Sequence, residues 1–260
     1  ITKSPHFDQL LINLGQIINK IFLKQLDLDF DEITYVQICK YIISIFNAYI
    51  GAKNNNYLAN RNVTCSHFLN LDIPSSFLVF FEIELPKDIN DALICPIILN
   101  IIELLLFGEN NLVQALSSRL DILWFVNLLE YEDSKICSKI MNIIDILIDI
   151  CPDNILKLFE IDFYNNIIIS LENADFQIKT QIICIIVTTI LNSTSSEMVQ
   201  YFTNENVVNY LIEFIDISDN PKLNFIPNAL LKINELISPD DQLFYTISQT
   251  LENISFSNFE

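Results

Sequence analysis

The chain has 260 residues, 51% of them apolar, and 33 acidic against 14 basic side chains leave a net charge of −19. Such a surface repels phosphate backbones and anionic lipid, which argues against nucleic-acid and membrane partners and for basic ones, although acidity also simply keeps an isoleucine-rich chain in solution. Only three glycines occur (Gly15, Gly51 and Gly108), which argues against a turn-rich sheet fold and against glycine-rich phosphate loops.

In chain order, the first predicted element is a helix over residues 7–24. Its apolar positions Leu10, Leu11, Leu14, Ile17, Ile18, Ile21 and Phe22 share one face, with Asn13, Gln16, Asn19 and Lys20 opposite. Asp31 and Glu32 open a second helix that ends near Ile50, where Gly51 supplies a stop. The polar, aperiodic stretch 52–62 reads as an exposed loop. From Ser66 onward the pattern becomes regular: a short, a medium and a long helix, repeated. The expected triplets are 66–70, 74–84 and 88–107; 109–117, 119–129 and 132–150; 152–160, 163–171 and 176–192; 196–202, 206–215 and 221–237. A last element starts at Ser238-Pro239-Asp240 and runs through Leu251. Pro74, Pro152, Pro221 and Pro239 fall at or near helix starts, where a missing N–H costs least, whereas Pro96 and Pro227 lie inside long helices and are expected to kink them.

The triplets recur at a fixed interval. Helix starts at Glu109, Pro152, Ser196 and Pro239 are spaced by 43, 44 and 43 residues, and the ends of the preceding apolar helices at Leu85, Leu129, Leu171 and Ile215 by 44, 42 and 44. Several helices per unit at this period indicate an α-solenoid, in which stacked units build one long surface.

The order short, medium, long resembles the armadillo repeat over roughly residues 66–250, with HEAT repeats as the neighbouring class. The best local match is 165–202, NNIIISLENADFQIKTQIICIIVTTILNSTSSEMVQYF: an apolar helix ending in Leu-x-x-x-Asp, a long helix ending in Leu-Asn, then a short helix. The resemblance implies an all-α, right-handed superhelix of about five units. Residues 1–50 would be a degenerate first unit, 51–65 a loop, and 66–260 the regular repeats with a C-terminal cap. It also implies that the long helix of each unit lines a concave groove. On 176–192 a polar stripe runs Gln181, Thr188, Asn192; one repeat earlier stand Ser138, Asp145, Asp149, and one repeat later Asn224, Leu231, Glu235. Ile183, Ile186 and Ile190 should face inward. As a groove, the stripe would bond an extended or helical peptide, and Asp145 with Asp149, one turn apart, would attract a basic side chain. A solvated helix face would show the same polar pattern. In the importin alphas, the nuclear-import members of this family, groove tryptophans precede asparagines by four residues. The sole tryptophan here, Trp124, falls in a medium helix and is expected in the core, so nuclear-signal recognition is not expected.

The inventory for catalysis is thin. His6 stands near a terminus, and His67 follows Cys65 in a Cys-x-His pair with no further ligands close in sequence to complete a metal site. No nucleotide-binding, metalloprotease or hydrolase motif occurs. The six cysteines are scattered without a CxxC pair, and with no leader pattern they predict reduced thiols in an intracellular compartment, cytoplasmic or nuclear. The most apolar run, 92–107, carries Pro96, Asn100 and Glu103 and is too short to span a bilayer. The sequence therefore points to a non-enzymatic protein-binding module without cofactor or metal, whose partner is a protein or peptide with a basic segment. The alternative is a structural scaffold subunit of a larger cytoskeletal or regulatory assembly.

Overall fold

The computed structural model describes residues 110–130, 134–215 and 220–257, with helical positions at 9, 12, 13, 16, 17, 41, 66, 69, 70, 99, 102 and 103 and a turn at 106. The chain is all-α, with no strand among the described residues. It divides into two compact units, Ile1–Ile143 and Ile144–Glu260. The expected loop 51–65, most of the triplet 66–107 and the kink at Pro96 lie outside the described residues.

The continuously described helices are α1 (Asn110–Ser117), α2 (Ile122–Asn127), α3 (Ser134–Ile150), α4 (Asn154–Glu160), α5 (Phe163–Ser170), α6 (Phe176–Asn192), α7 (Ser196–Gln200), α8 (Glu205–Glu213), α9 (Ile226–Asn234) and α10 (Gln242–Ser257). Short 3₁₀ segments follow α2 (Leu128–Glu130) and precede α9 (Pro221–Phe225). The boundary between the two units falls within α3.

Within the first unit, the Asp121 carboxylate caps α2 by accepting from the Leu123 amide at 3.2 Å. Trp124 is buried edge-on to Phe125, with ring centroids 4.8 Å apart, so it is a core residue. Glu103 takes a hydrogen bond from the Asn142 amide at 2.5 Å and an ion pair from Lys139 at 3.5 Å, tying α3 to a residue 39 positions before Asn142. At the amino end, Gln9 donates to Asn13 at 3.0 Å; Asn13 and Gln16 are exposed as expected, but Ile17 is exposed as well.

The second unit is built around α6. Asp175, in extended backbone, accepts from the Ile178 amide at 2.9 Å and so starts the helix, as an N-cap aspartate does by satisfying one of its orphan donors. At the other end Lys232 of α9 donates to the carbonyls of Leu191 and Ser193 at 3.3 and 2.7 Å, satisfying acceptors the helix leaves open. Every residue from Ile182 to Ile190 is buried. Such a helix is enclosed on all sides, and an amphipathic surface helix is not. It packs against α9 and the 3₁₀ turn Pro221–Phe225, and α9 in turn against α7, α8 and α10. The aromatic end of the core joins Phe159, Tyr164, Tyr201 and Phe202 at centroid separations of 4.5 to 6.2 Å. Burial pushes the Tyr164 phenol above its ordinary value, and its hydroxyl pairs with that of Thr189 at 3.0 Å. Between α4 and α5 Asp162 turns the chain with φ 57° and ψ 25°, a left-handed geometry that aspartate tolerates better than bulkier residues.

The helix expected over 221–237 is two pieces. Pro227 does not kink it but stands in the first turn of α9, and a 3₁₀ turn precedes that helix. In a continuous α-helix Pro227 could not donate to the Leu223 carbonyl and its ring would strike it; in the first turn of a new helix neither problem arises.

These roles predict different costs. Asp175→Ala should lower unfolding free energy by about 1 kcal/mol through the lost cap, and Ile186→Ala by about 2 to 5 kcal/mol through the lost burial and the cavity. Urea denaturation midpoints at constant slope would check both.

Candidate functional site

The polar stripe read from sequence is divided by the structure. Ser138, Asp145 and Thr188 are buried, at 6, 1 and 6% exposure, so they do not belong to a solvated face. Asp149, Asn224 and Glu235 are exposed, Gln181 and Asn192 are half-buried, and Leu231 is exposed. The physical reason is the enclosure of α6. The 3₁₀ turn covers the face that would otherwise meet water, and the polar groups beneath it must find partners inside the chain.

Two pairs of them find one another across an interval of 43 residues. The Thr188 hydroxyl donates to Asp145 Oδ1 at 2.6 Å, and the Asn192 amide donates to Asp149 Oδ1 at 3.2 Å. Both bonds link residues 43 apart, and they lie one helical turn from each other along α3 and α6. Corresponding polar positions are therefore cross-links between successive long helices.

The second oxygen of Asp145 is taken by the chain itself. Lys222 Nζ of the 3₁₀ turn lies 2.6 Å from Asp145 Oδ2, with the lysine side chain 33% exposed. The basic group expected to be drawn to this carboxylate is thus supplied from 77 residues downstream. Desolvation by burial raises the Asp145 carboxyl above the ordinary aspartate value of 3.8, the charge on Asp149 adds to the rise, and Lys222 and Thr188 oppose it. Beside this pair the Asn220 amide reaches Cys184 Sγ at 3.3 Å, while the Asn220 side-chain oxygen accepts from the Lys222 amide at 3.1 Å. Burial, with the Asp145 charge in support, pushes the Cys184 thiol up to about 12. At neutral pH it is a thiol, not a thiolate nucleophile.

Above these groups opens a cleft of about 300 Å³ lined by Asp149, Val187, Thr188, Leu191, Asn192, Lys222 and Phe225. Phe225 is 51% exposed. The cleft carries an apolar wall, an amide, a carboxylate and a half-buried ammonium, a mixture suited to holding a side chain of a partner. Lys222, Asn220 and Phe225 were not singled out by the sequence. A shallower depression of about 160 Å³ is bordered by Glu172, Asn206, Asn209, Tyr210 and Glu213, with Lys179 Nζ 5.7 Å from the centre of the Tyr210 ring.

His6, Cys65 and His67 lie outside the described residues. Among the described residues no three of His, Cys, Asp and Glu gather as a metal site, and no helix is long and apolar enough to cross a membrane.

The pairing gives two predictions. Lys222→Ala leaves the buried Asp145 with Thr188 alone and should cost about 1 to 3 kcal/mol of stability near neutral pH, read by chemical denaturation. The second concerns pH. An acid with a raised folded-state pKa holds its proton more tightly folded than unfolded, so Asp145 adds stability as pH falls towards 3.8 and loses it as pH rises through the raised value. The stability of the parent chain relative to Asp145→Asn should therefore decline as pH rises from 3.8 through that window, measured by denaturation at a series of pH values.

No protein-family profile matches the chain, and no curated protein does. Among solved structures it is similar to a crystal structure of an engineered protein, Northeast Structural Genomics Consortium target OR329. The TM-score is 0.56 and the identity 13%, over 92% of this chain and 96% of that one. At that identity the likeness concerns the fold alone.

Proposed function

We propose that the chain is a non-enzymatic protein-binding module, an armadillo-like α-solenoid of about five helical units in one continuous domain, which takes a basic segment of another protein along its long helices. The observation that carries this reading is the pair of hydrogen bonds Thr188–Asp145 and Asn192–Asp149. Both have the sequence period of 43 residues, so like positions of successive long helices lie side by side, as stacked repeats require. The proposed contact residues are those that meet solvent: Asp149, Asn192, Gln181, Asn224 and Glu235, with Phe225 and Leu231 offering apolar surface between the polar groups. Asp145 and Thr188 hold the helices in register behind them, and Ser138 is buried. The basic character of the partner rests on the net charge of −19 and on the exposed carboxylates of Asp149 and Glu235. The proposed setting is intracellular.

Selection of peptides from a random display library against the purified chain tests the reading. Peptides rich in Lys and Arg should be enriched. The double variant Asp149→Asn, Glu235→Gln should weaken the selected peptides roughly 3- to 30-fold at low salt, with the difference shrinking as salt screens the charges. Enrichment of acidic or purely apolar peptides, or equal affinity at low salt, would remove the proposal.

A second reading, a subunit of a larger scaffold, is favoured by exposed apolar side chains on several helices: Leu156, Ile169, Phe176 and Tyr245 are 53, 63, 58 and 62% exposed. Isolated exposed apolar residues are ordinary on soluble proteins, and only a contiguous patch would separate this reading from the first. Concentration-dependent self-association in sedimentation, abolished by Phe176→Ser or Ile169→Ser, would favour it.

A further inference from the structure

The 3₁₀ turn Pro221–Phe225 is attached to its unit in an unusual way. Leu223 is buried, but Pro221, Asn224 and Phe225 are exposed, so apolar burial holds only one of its five residues fully. Its polar attachments include Lys222 Nζ on Asp145 at 2.6 Å and, from the preceding residue, the Asn220 amide on Cys184 at 3.3 Å. The first involves a full charge on a carboxylate with 1% exposure, the second a weak sulfur acceptor. The same turn supplies Lys222 and Phe225 to the cleft, whose other walls are α3 and α6.

We propose that this turn is a releasable strap, held down by the charge of Asp145, and that neutralising Asp145 frees it and opens the cleft beside Asp149 and Asn192. Release follows from the asymmetry of the pair. Lys222 is a third exposed and can swing its ammonium into water, whereas Asp145 cannot follow. Once protonated, Asp145 keeps its hydrogen bond with Thr188 and no longer needs a cation. The charged and titratable groups around it are few. Asp149 shares its helix, Cys184 faces it from α6, and Lys222 comes from the turn. Lys232 on the neighbouring α9 is committed to the carbonyls of Leu191 and Ser193. Cys184 stays neutral across the physiological range because burial pushes its thiol up to about 12, so the change of state between the buried α6 face and the turn is that of Asp145. Its raised pKa brings that change closer to neutrality, and a proton there favours the folded unit, so the turn loosens while the helices stay packed. Release of the strap is independent of any partner; only its effect on binding rests on the function proposed above.

Trypsin reports the release directly, because the Lys222–Leu223 bond can enter a protease only when the turn is lifted. At neutral pH, Asp145→Asn should be cut there roughly tenfold faster than the parent chain, with no comparable rise at Lys232 and with the helical signal intact. Thr188→Val, which removes a hydrogen bond but leaves the charge, should keep Lys222 protected. An unchanged rate in Asp145→Asn, an equal rise at every lysine, or the same acceleration in Thr188→Val would overturn the proposal. Hydrogen exchange of the parent chain needs no variant. Protection of the amides of residues 222–226, corrected for intrinsic rates, should fall as pH is lowered from 7 towards 4 while that of Ile183–Ile190 persists. Flat protection of the turn across that range would sink the proposal on its own.

Discussion

A carboxylate withdrawn from water must be bound or protonated, and the arrangement around Asp145 follows from that requirement. One oxygen is satisfied by the Thr188 hydroxyl of α6, the other by the Lys222 ammonium of the 3₁₀ turn. Three segments that are distant in sequence are thereby fixed to one point. The register of α3 against α6 is set because only one sliding position places Thr188 over Asp145 and, a turn later, Asn192 over Asp149. Apolar side chains alone would tolerate a shift of one ridge; a buried charge would not. Apolar replacements of buried ion pairs are often as stable, and what the polar version adds is uniqueness of alignment.

The helices were legible from local signals. Asp175 before Phe176 and the Asn192-Ser193-Thr194-Ser195 run after it bound α6 where the periodicity placed it, because caps and polar stops act over a few residues. The 3₁₀ turn was not legible as such, since Pro221 and Pro227 can each start a helix and the spacing between them allows either one kinked rod or two elements. The candidate site was half legible. The correspondence of Asp145 with Thr188 and of Asp149 with Asn192 could be read from the interval of 43 residues, but not whether the members of each pair faced water or each other. Thr188 and Thr189 are the polar residues within a stretch, 182–190, otherwise made of isoleucine, valine and cysteine. That run marks a buried helix, whereas the spacing of Gln181, Thr188 and Asn192 points to a surface stripe, and for Thr188 burial prevails. Lys222 could not have been found: its role depends on a partner 77 residues away, and no local pattern marks it.

The chemistry of the enclosed groups narrows what the unit can do. A thiol raised to about 12 and a carboxylate already bound by an ammonium and a hydroxyl have no reactivity to spare for a substrate. Their neighbours on the outside differ. Asp149 uses one oxygen for Asn192 and stands exposed, and Phe225 presents half of its ring to solvent. The interior network and the exterior surface therefore divide along α3 within a single turn, Asp145 facing inward and Asp149 outward.

That division explains how one sequence pattern can serve two purposes. A polar residue of α3 can have a polar residue of α6 within reach, and the pair is closed to other molecules if covered, as Asp145 with Thr188, or open to them if not, as Asp149 with Asn192. Coverage, here provided by the turn that carries Lys222 and Phe225, decides between the two outcomes. Asn224, on the turn itself, and Glu235, just after α9, stay in water. A small element laid across the long helices thus determines which part of the repeated polar pattern is structural and which part can meet another molecule. A change in that element alters the exposed surface without altering the helices beneath it.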